Sequence, residues 1–166
     1  MVDIVDENNK VLYKTSKGKA HELGLLHRTV IAEVIDSKGE WVLVRQSSDR
    51  QDAGQYVSPV GGHIRAGESE IEALKREAFE EVGLKKFTNK FIGKGIFKRH
   101  VLNRIENHYF VLYEIYSDKK PKLNHESESY KTFTKGELKK RLKTNPAEFG
   151  QAFQFVTKTL YPKLLK

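Results

Sequence analysis

The 166-residue sequence contains no cysteine. That absence excludes disulfides, thiolate metal sites and thiol nucleophiles together. Also missing is any run of about 18 apolar residues, the length a helix needs to span a bilayer. Residues Met1 to Lys10 are polar and acidic, without the apolar core of a signal peptide. These absences lead to the expectation of a cytoplasmic protein with no membrane partner. No internal repeat, low-complexity tract or Pro/Gly/Ser linker interrupts the chain, which reads as a single domain over residues 1–166. Acidic charge is in deficit: 22 Asp and Glu stand against 30 Lys and Arg, a formal net charge of +8. Such a field attracts polyanions, phosphorylated small molecules among them. Much of the excess lies in the last third, for example Lys135, Lys139, Lys140 and Arg141, where it reads as the solvated faces of helices. With no Arg-rich arm and no RNP-like aromatic motif, a nucleic-acid partner is not expected.

Hydrophobic residues make up 38% of the chain and charged residues 31%, enough to bury one sizeable core. Val2 to Val5 and Val11 to Tyr13 read as an N-terminal hairpin, an extension covering residues 1–20. A second hairpin joins Thr29 to Ile35 with Trp41 to Arg45 through Ser37-Lys-Gly39. Residues 47 to 59 read as loop. Phe91 to Phe97 and His108 to Tyr116 are further strands, the second apolar enough for a central place. Helices occupy 134–166. One begins near Thr134, and another near Asn145, with Pro146 at its first position and Glu148 closing a capping box. Phe149, Phe153, Val156 and Leu160 recur along it at helical spacing. The pattern predicts an α/β (α+β) sandwich around a mixed sheet.

The central helix runs from about Glu68 to Val82 and stops at Gly83. At about 100° per residue, Ile71, Leu74, Ala78 and Val82 form its core stripe. Glu77, Glu80 and Glu81 gather on the other side within an arc of roughly 100°, with Glu70 and Glu72 adding negative charge. Carboxylates so crowded repel one another unless a cation lies between them, and an oxygen-rich set suits Mg²⁺ or Mn²⁺. Arg76 lies beside the cluster and can fix one carboxylate. Gly61 and Gly62 precede the helix and let backbone approach a metal or phosphate closely.

Gly62, five residues, Glu68, seven residues and then Arg76-Glu77-Ala78-Phe79-Glu80-Glu81-Val82-Gly83-Leu84 resemble a complete Nudix box. The resemblance implies a Nudix-type α/β/α sandwich and hydrolysis assisted by Mg²⁺ or Mn²⁺. Carried over by position, Glu77, Glu80 and Glu81 are metal ligands and the Gly61 carbonyl is a further candidate. Glu68 and Arg76 are orienting partners, with Arg76 holding Glu77. The general base is Glu77 or a glutamate on a later loop, where Glu126 and Glu128 stand, Glu126 being favoured.

A second resemblance is to the isopentenyl-diphosphate isomerase branch of the same superfamily. It rests on Ala20-His-Glu-Leu-Gly-Leu-Leu-His-Arg28, Gly62-His63, the Glu126-x-Glu128 pair and the aromatic tail from Phe149 to Phe155. It implies a second, imidazole-rich metal site built from His21, His27, His63, Glu126 and Glu128. Isomerases of this branch use a cysteine for proton transfer, and Gly61 stands in its place here. Their box is also degenerate, whereas this one is intact. Arg28, Arg45 and Arg50 are candidate phosphate contacts, and Tyr56, Phe97 and Tyr109 are candidates for stacking on a base or covering an isoprenoid chain. Specificity is expected in Gln46 to Val57 and Lys98 to Asn107.

The leading expectation is a metal-dependent hydrolase that cleaves a diphosphate linkage in a nucleoside diphosphate derivative or related organic pyrophosphate, acting as a monomer or homodimer on a small molecule. An isomerase-like enzyme acting on a prenyl diphosphate is the alternative, and a non-catalytic nucleotide- or RNA-binding module the third.

Overall fold

The computed structural model covers residues 1–166. Its hub is β3 (His27–Ile35), one edge of which pairs in parallel along its whole length with β8 (Arg104–Tyr116). Its other edge is shared by β1 (Val2–Val5), β6 (Val60–His63) and β4 (Trp41–Gln46), all antiparallel. β2 (Val11–Thr15) closes the N-terminal hairpin onto β1. β7 (Thr88–Val101) forms a long hairpin with β8. β5 (Tyr56–Val57) and β9 (Ser127–Phe133) flank β4, giving one mixed sheet of nine strands.

Side-chain alternation explains the layers. Residues two apart on a strand share a face. Val30, Ala32 and Val34 of β3, Val42 and Val44 of β4, and Val111, Tyr113 and Ile115 of β8 point to one side. There they bury Ala73, Leu74, Ala78 and Val82 of α2 (Glu70–Val82). Ile31, Ile35, Trp41, Leu43, Phe110 and Leu112 point to the other, beneath α3 (Lys135–Thr144) and α4 (Gln151–Leu160). Helices therefore cover both faces, and the sandwich expected from the pattern is the one observed. No helix is long and apolar enough to cross a membrane.

Four local readings need correction. α2 starts at Glu70, because Ser69 caps it: the Ser69 hydroxyl accepts from the Glu72 amide and the Glu72 carboxylate accepts from the Ser69 amide. This reciprocal cap contributes about 1 kcal/mol and leaves Glu68 outside the helix, free to turn toward Arg76. Ile71 is not in the core stripe but exposed, and Ala73 and Glu77 are buried instead. The last long helix begins at Gln151, not near Asn145. The Asn145 amide donates to the Glu148 carboxylate instead of accepting a backbone hydrogen bond, so residues Pro146–Glu148 make only a 3-10 turn. Phe149 is then extended and sits in the core ahead of α4, which a short α5 (Pro162–Leu165) follows. Finally, the expected hairpin extension over residues 1–20 ends earlier, because residues 17–23 form α1 (Lys17–Leu23), capped by Ser16 and ended by Gly24 in the left-handed region.

Glu33 sits fully buried in β3, with the Ser58 hydroxyl donating to it at 2.6 Å. Burial pushes its carboxyl up to about 8, against the pull of that hydrogen bond. Between about pH 4.5 and pH 8 the unfolded chain has released this proton while the folded chain retains it, so this group lowers stability as pH rises. Glu33→Gln stays neutral throughout. In urea unfolding its stability relative to the native sequence should improve from pH 5 to pH 8. A difference that does not change with pH would contradict this account.

Candidate active site

The turn from β6 into α2 brings the acidic residues together. Arg76 is the organiser: its Nε and Nη2 donate to the two Glu68 oxygens, each at 2.8 Å, and Nη2 also reaches the His63 carbonyl at 3.0 Å. Its Nη1 pairs with Glu77 and lies 3.6 Å from Glu80. The bidentate partner of Arg76 is thus Glu68, with Glu77 held by the remaining arm. The hydrogen bonds to Arg76 hold the Glu68 carboxyl below its usual range. Glu77 is raised by burial, against the bond from Arg76.

Glu81 accepts from the Gly61 amide at 2.7 Å. Burial raises its carboxyl well above the usual range, the Gly61 bond opposes, and the charges of Glu77, Glu126 and Glu80 push further upward. Gly62 lies in β6 opposite Val30, and a Cβ there would fall inside the envelope of the Glu77 carboxylate. The absence of a side chain at Gly62 is therefore what gives Glu77 its place. Three carboxylates, Glu68, Glu77 and Glu80, surround the Arg76 guanidinium and a fourth, Glu81, is held by Gly61, so the cluster has donor capacity for a hard cation.

These residues open onto a cavity of about 520 Å³. Gly61, Gly62, Arg76, Glu77, Glu81, Glu126 and Arg50 line it, as do Lys17, Arg65, Arg99 and Arg104. Glu80 is exposed and Glu68 lies behind Arg76; neither lines the cavity. Arg50, from the loop after β4, faces Glu126 at 3.3 Å. The other two candidate phosphate contacts sit elsewhere. Arg28 pairs with Asp3 at 2.6 Å and ties the N-terminal hairpin to the strand, while Arg45 pairs with Glu128 at 3.3 Å. Tyr56 packs against Phe133, Phe97 stacks on Phe110, and Tyr109 is in the core. The aromatics that reach the cavity are Phe110 and Phe153.

Sequence reading missed a buried ionic chain along one wall. Arg99 donates to Asp52 at 2.7 and 3.0 Å and to Glu106 at 2.7 Å, and Arg104 donates to the second Glu106 oxygen at 2.7 Å. It staples the loop after β4 to the β7–β8 hairpin, and no local signal joins those segments.

The histidines also come together, with a different membership from the one expected. His21, His27, His63 and His108 converge, and neither Glu126 nor Glu128 takes part. Glu126 immediately precedes β9 and Glu128 lies within it, paired against β4, whereas His108 reaches the cluster because β8 lies in register beside β3, opposite His27.

The chain matches the family model described as the NUDIX domain over residues 25–153. It belongs to the Nudix family. Several curated Nudix relatives match over part of their length, and the chain spans about half of the first of these. One, an uncharacterized Nudix hydrolase of Yersinia pestis, is 35% identical over 85 residues, covering 50% of this chain and 46% of that protein. An isopentenyl-diphosphate Delta-isomerase of Pectobacterium atrosepticum is 27% identical over 163 residues, covering 92% and 87%. In fold, a crystal structure of a Deinococcus radiodurans protein has a TM-score of 0.76 at 21% identity, covering 96% of this chain and 98% of that one. The Nudix box thus lies within the matched region, with its Gly62, Glu68, Arg76 and Glu77 in direct or near contact.

Proposed function

We propose that this Nudix protein hydrolyses a diphosphate linkage in a small organic pyrophosphate, a nucleoside diphosphate derivative or a relative of one, with Mg²⁺ or Mn²⁺. The observation that carries the reading is the meeting of Glu77 and Glu81 beside Gly61 and Gly62 in a cavity whose wall also carries Lys17, Arg50, Arg65 and Arg104. The donor set fits the metal. Two carboxylates pushed toward the neutral form by burial and mutual repulsion gain most from a divalent ion, and an all-oxygen set suits a hard one.

Glu77, Glu80 and Glu81 would hold the ion, with the Gly61 carbonyl as a further ligand. An ion held by these residues would supply neutralisation of phosphate charge and acidification of the attacking water. Arg76 and Glu68 fix the Glu77 carboxylate. Arg50, Lys17, Arg65 and Arg104 offer charge to the phosphates at the cavity wall. Glu126, which lines the same cavity, is the base that collects the water's proton.

The test is a screen of diphosphate compounds with Mg²⁺ and with Mn²⁺, reading release of phosphate or a phosphate monoester. Metal-dependent release from at least one compound is expected, and none from any of them would overturn the reading. A second reading, isomerisation of a prenyl diphosphate, draws on the isomerase name of the Pectobacterium relative that spans most of the chain. It requires proton transfer without a cysteine. Double-bond migration with no phosphate release would establish it in place of hydrolysis.

A further inference from the structure

We propose that Glu33 is a positioning residue for the glutamate site: through Ser58 it fixes where Gly61 and Gly62 lie, and with them Glu81 and Glu77. Its effect on rate rests on the hydrolytic reading above. Its effect on the two glycines rests on geometry alone.

Glu33 stands where an apolar residue is expected. It shares its face of β3 with Ile31 and Ile35, beneath α3 and α4, and it is completely buried. Burying a carboxyl is costly unless its oxygens are hydrogen-bonded. Here one of them is: the Ser58 hydroxyl donates to Oε1 at 2.6 Å. Oε2 is buried with no partner. On the β8 side Glu33 meets another acid, Glu114, to which the hydroxyls of Tyr116 and Tyr161 donate. A side chain serving packing alone would be apolar, like its two neighbours on the strand. A carboxyl buried at this cost calls for another explanation.

Ser58 supplies it. β5 pairs with β4, and β6 pairs with β3. Ser58 and Pro59 are the two residues by which the chain crosses from one partner strand to the other. The β3–β6 ladder ends with Val60 opposite Ala32. Pro59, next in line, has no N–H with which to continue it. The bond from Ser58 to Glu33 therefore extends the hold of β3 on this segment past the end of the ladder.

Immediately beyond Val60 come Gly61, whose amide donates to Glu81 at 2.7 Å, and Gly62, whose bare backbone leaves Glu77 its place. Two consecutive glycines have no side chains to pack. Backbone pairing and the segment leading into them set their position. Ser58 lines the cavity together with both glycines, whereas Glu33 does not reach it. Glu33 thus acts at one remove, touching no reacting atom.

The experiment compares Glu33→Gln, Glu33→Met and Ser58→Ala in the full chain. Glutamine keeps an oxygen for the Ser58 hydroxyl, and methionine fills similar space without an acceptor. At pH 8 Glu33→Met should melt no lower than the unmutated protein, because burial of the native carboxyl is destabilising there. Its kcat should nevertheless fall by at least about tenfold, the scale of a displacement somewhat below 1 Å. KM should change little, since Lys17, Arg50 and Arg104 stand on other segments. Ser58→Ala should show the same loss, and the double variant no more than either alone. Glu33→Gln should keep near-native kcat. Apart from turnover, the ¹⁵N–¹H resonances of Gly61 and Gly62 should shift in Glu33→Met and in Ser58→Ala and stay in place in Glu33→Gln. If the unmutated protein hydrolyses no diphosphate compound, the hydrolytic reading fails and the glycine resonances decide the inference. Unmoved glycine resonances in Glu33→Met, or a kcat that follows melting temperature across the three variants, would overturn it.

Discussion

Replacing Glu81 with glutamine should lower turnover by about 10³-fold without unfolding the protein. The size follows from the role: an ion that neutralises phosphate charge and activates water supplies several kcal/mol of transition-state stabilisation, and about 4 kcal/mol corresponds to 10³-fold. The direction of the stability effect follows from the site. Glu81 is surrounded by Glu77, Glu80 and Glu126, and burial raises its carboxyl, so the ionised form is strained in the metal-free fold. Glutamine removes that charge and keeps an oxygen for the Gly61 amide. Metal-free melting temperature should hold steady or rise. Glu80→Gln should have a smaller effect, because Glu80 is exposed and outside the cavity lining. Steady-state kinetics on a compound found in the screen, alongside thermal melts, separates the two effects. Unchanged turnover in Glu81→Gln would remove Glu81 from the ligand set.

Gly62→Ala is expected to do comparable damage from the opposite side of the same contact. The new methyl group would occupy the space of the Glu77 carboxylate, and Glu77 would have to leave its place on Arg76. The backbone at Gly62 is ordinary extended strand, so little strain is introduced and the sheet should survive. Displacing a reacting or metal-holding group by about 1 Å costs on the order of 10²-fold in rate. The expected result is a fall of at least that size in kcat, a normal circular dichroism spectrum, and weaker activation by Mg²⁺. Full activity in Gly62→Ala would mean that Glu77 works from another position.

What the sequence made legible was whatever its neighbours decide. The glutamate helix, its stop at Gly83 and the hold of Arg76 on Glu77 all follow from residues within about two dozen positions of one another. Even there a pattern misleads when polar side chains have better partners. Ile71 fits the apolar period yet is exposed, while Glu77 takes a buried position because Arg76 and the bare Gly62 backbone receive it. Asn145 has the residue type of a cap but spends its amide on Glu148.

The histidine cluster was legible only in part for a different reason. His108 joins it through parallel pairing of β8 with β3, a contact between distant segments that no spacing encodes. The Glu126 and Glu128 pair looked better placed because it resembled a known order along the chain. The ionic chain from Asp52 through Arg99 to Glu106 and Arg104 was invisible for the same reason.

The most direct measurement of the central claim is hydrolysis in ¹⁸O-labelled water of a diphosphate substrate, with Mg²⁺ present and with chelator, for the unmutated protein and Glu81→Gln. The account predicts one labelled oxygen in a phosphate-bearing product with Mg²⁺, and almost none with chelator or in the variant. Equal label incorporation in all four conditions, or turnover with no label in any phosphate product, would contradict it.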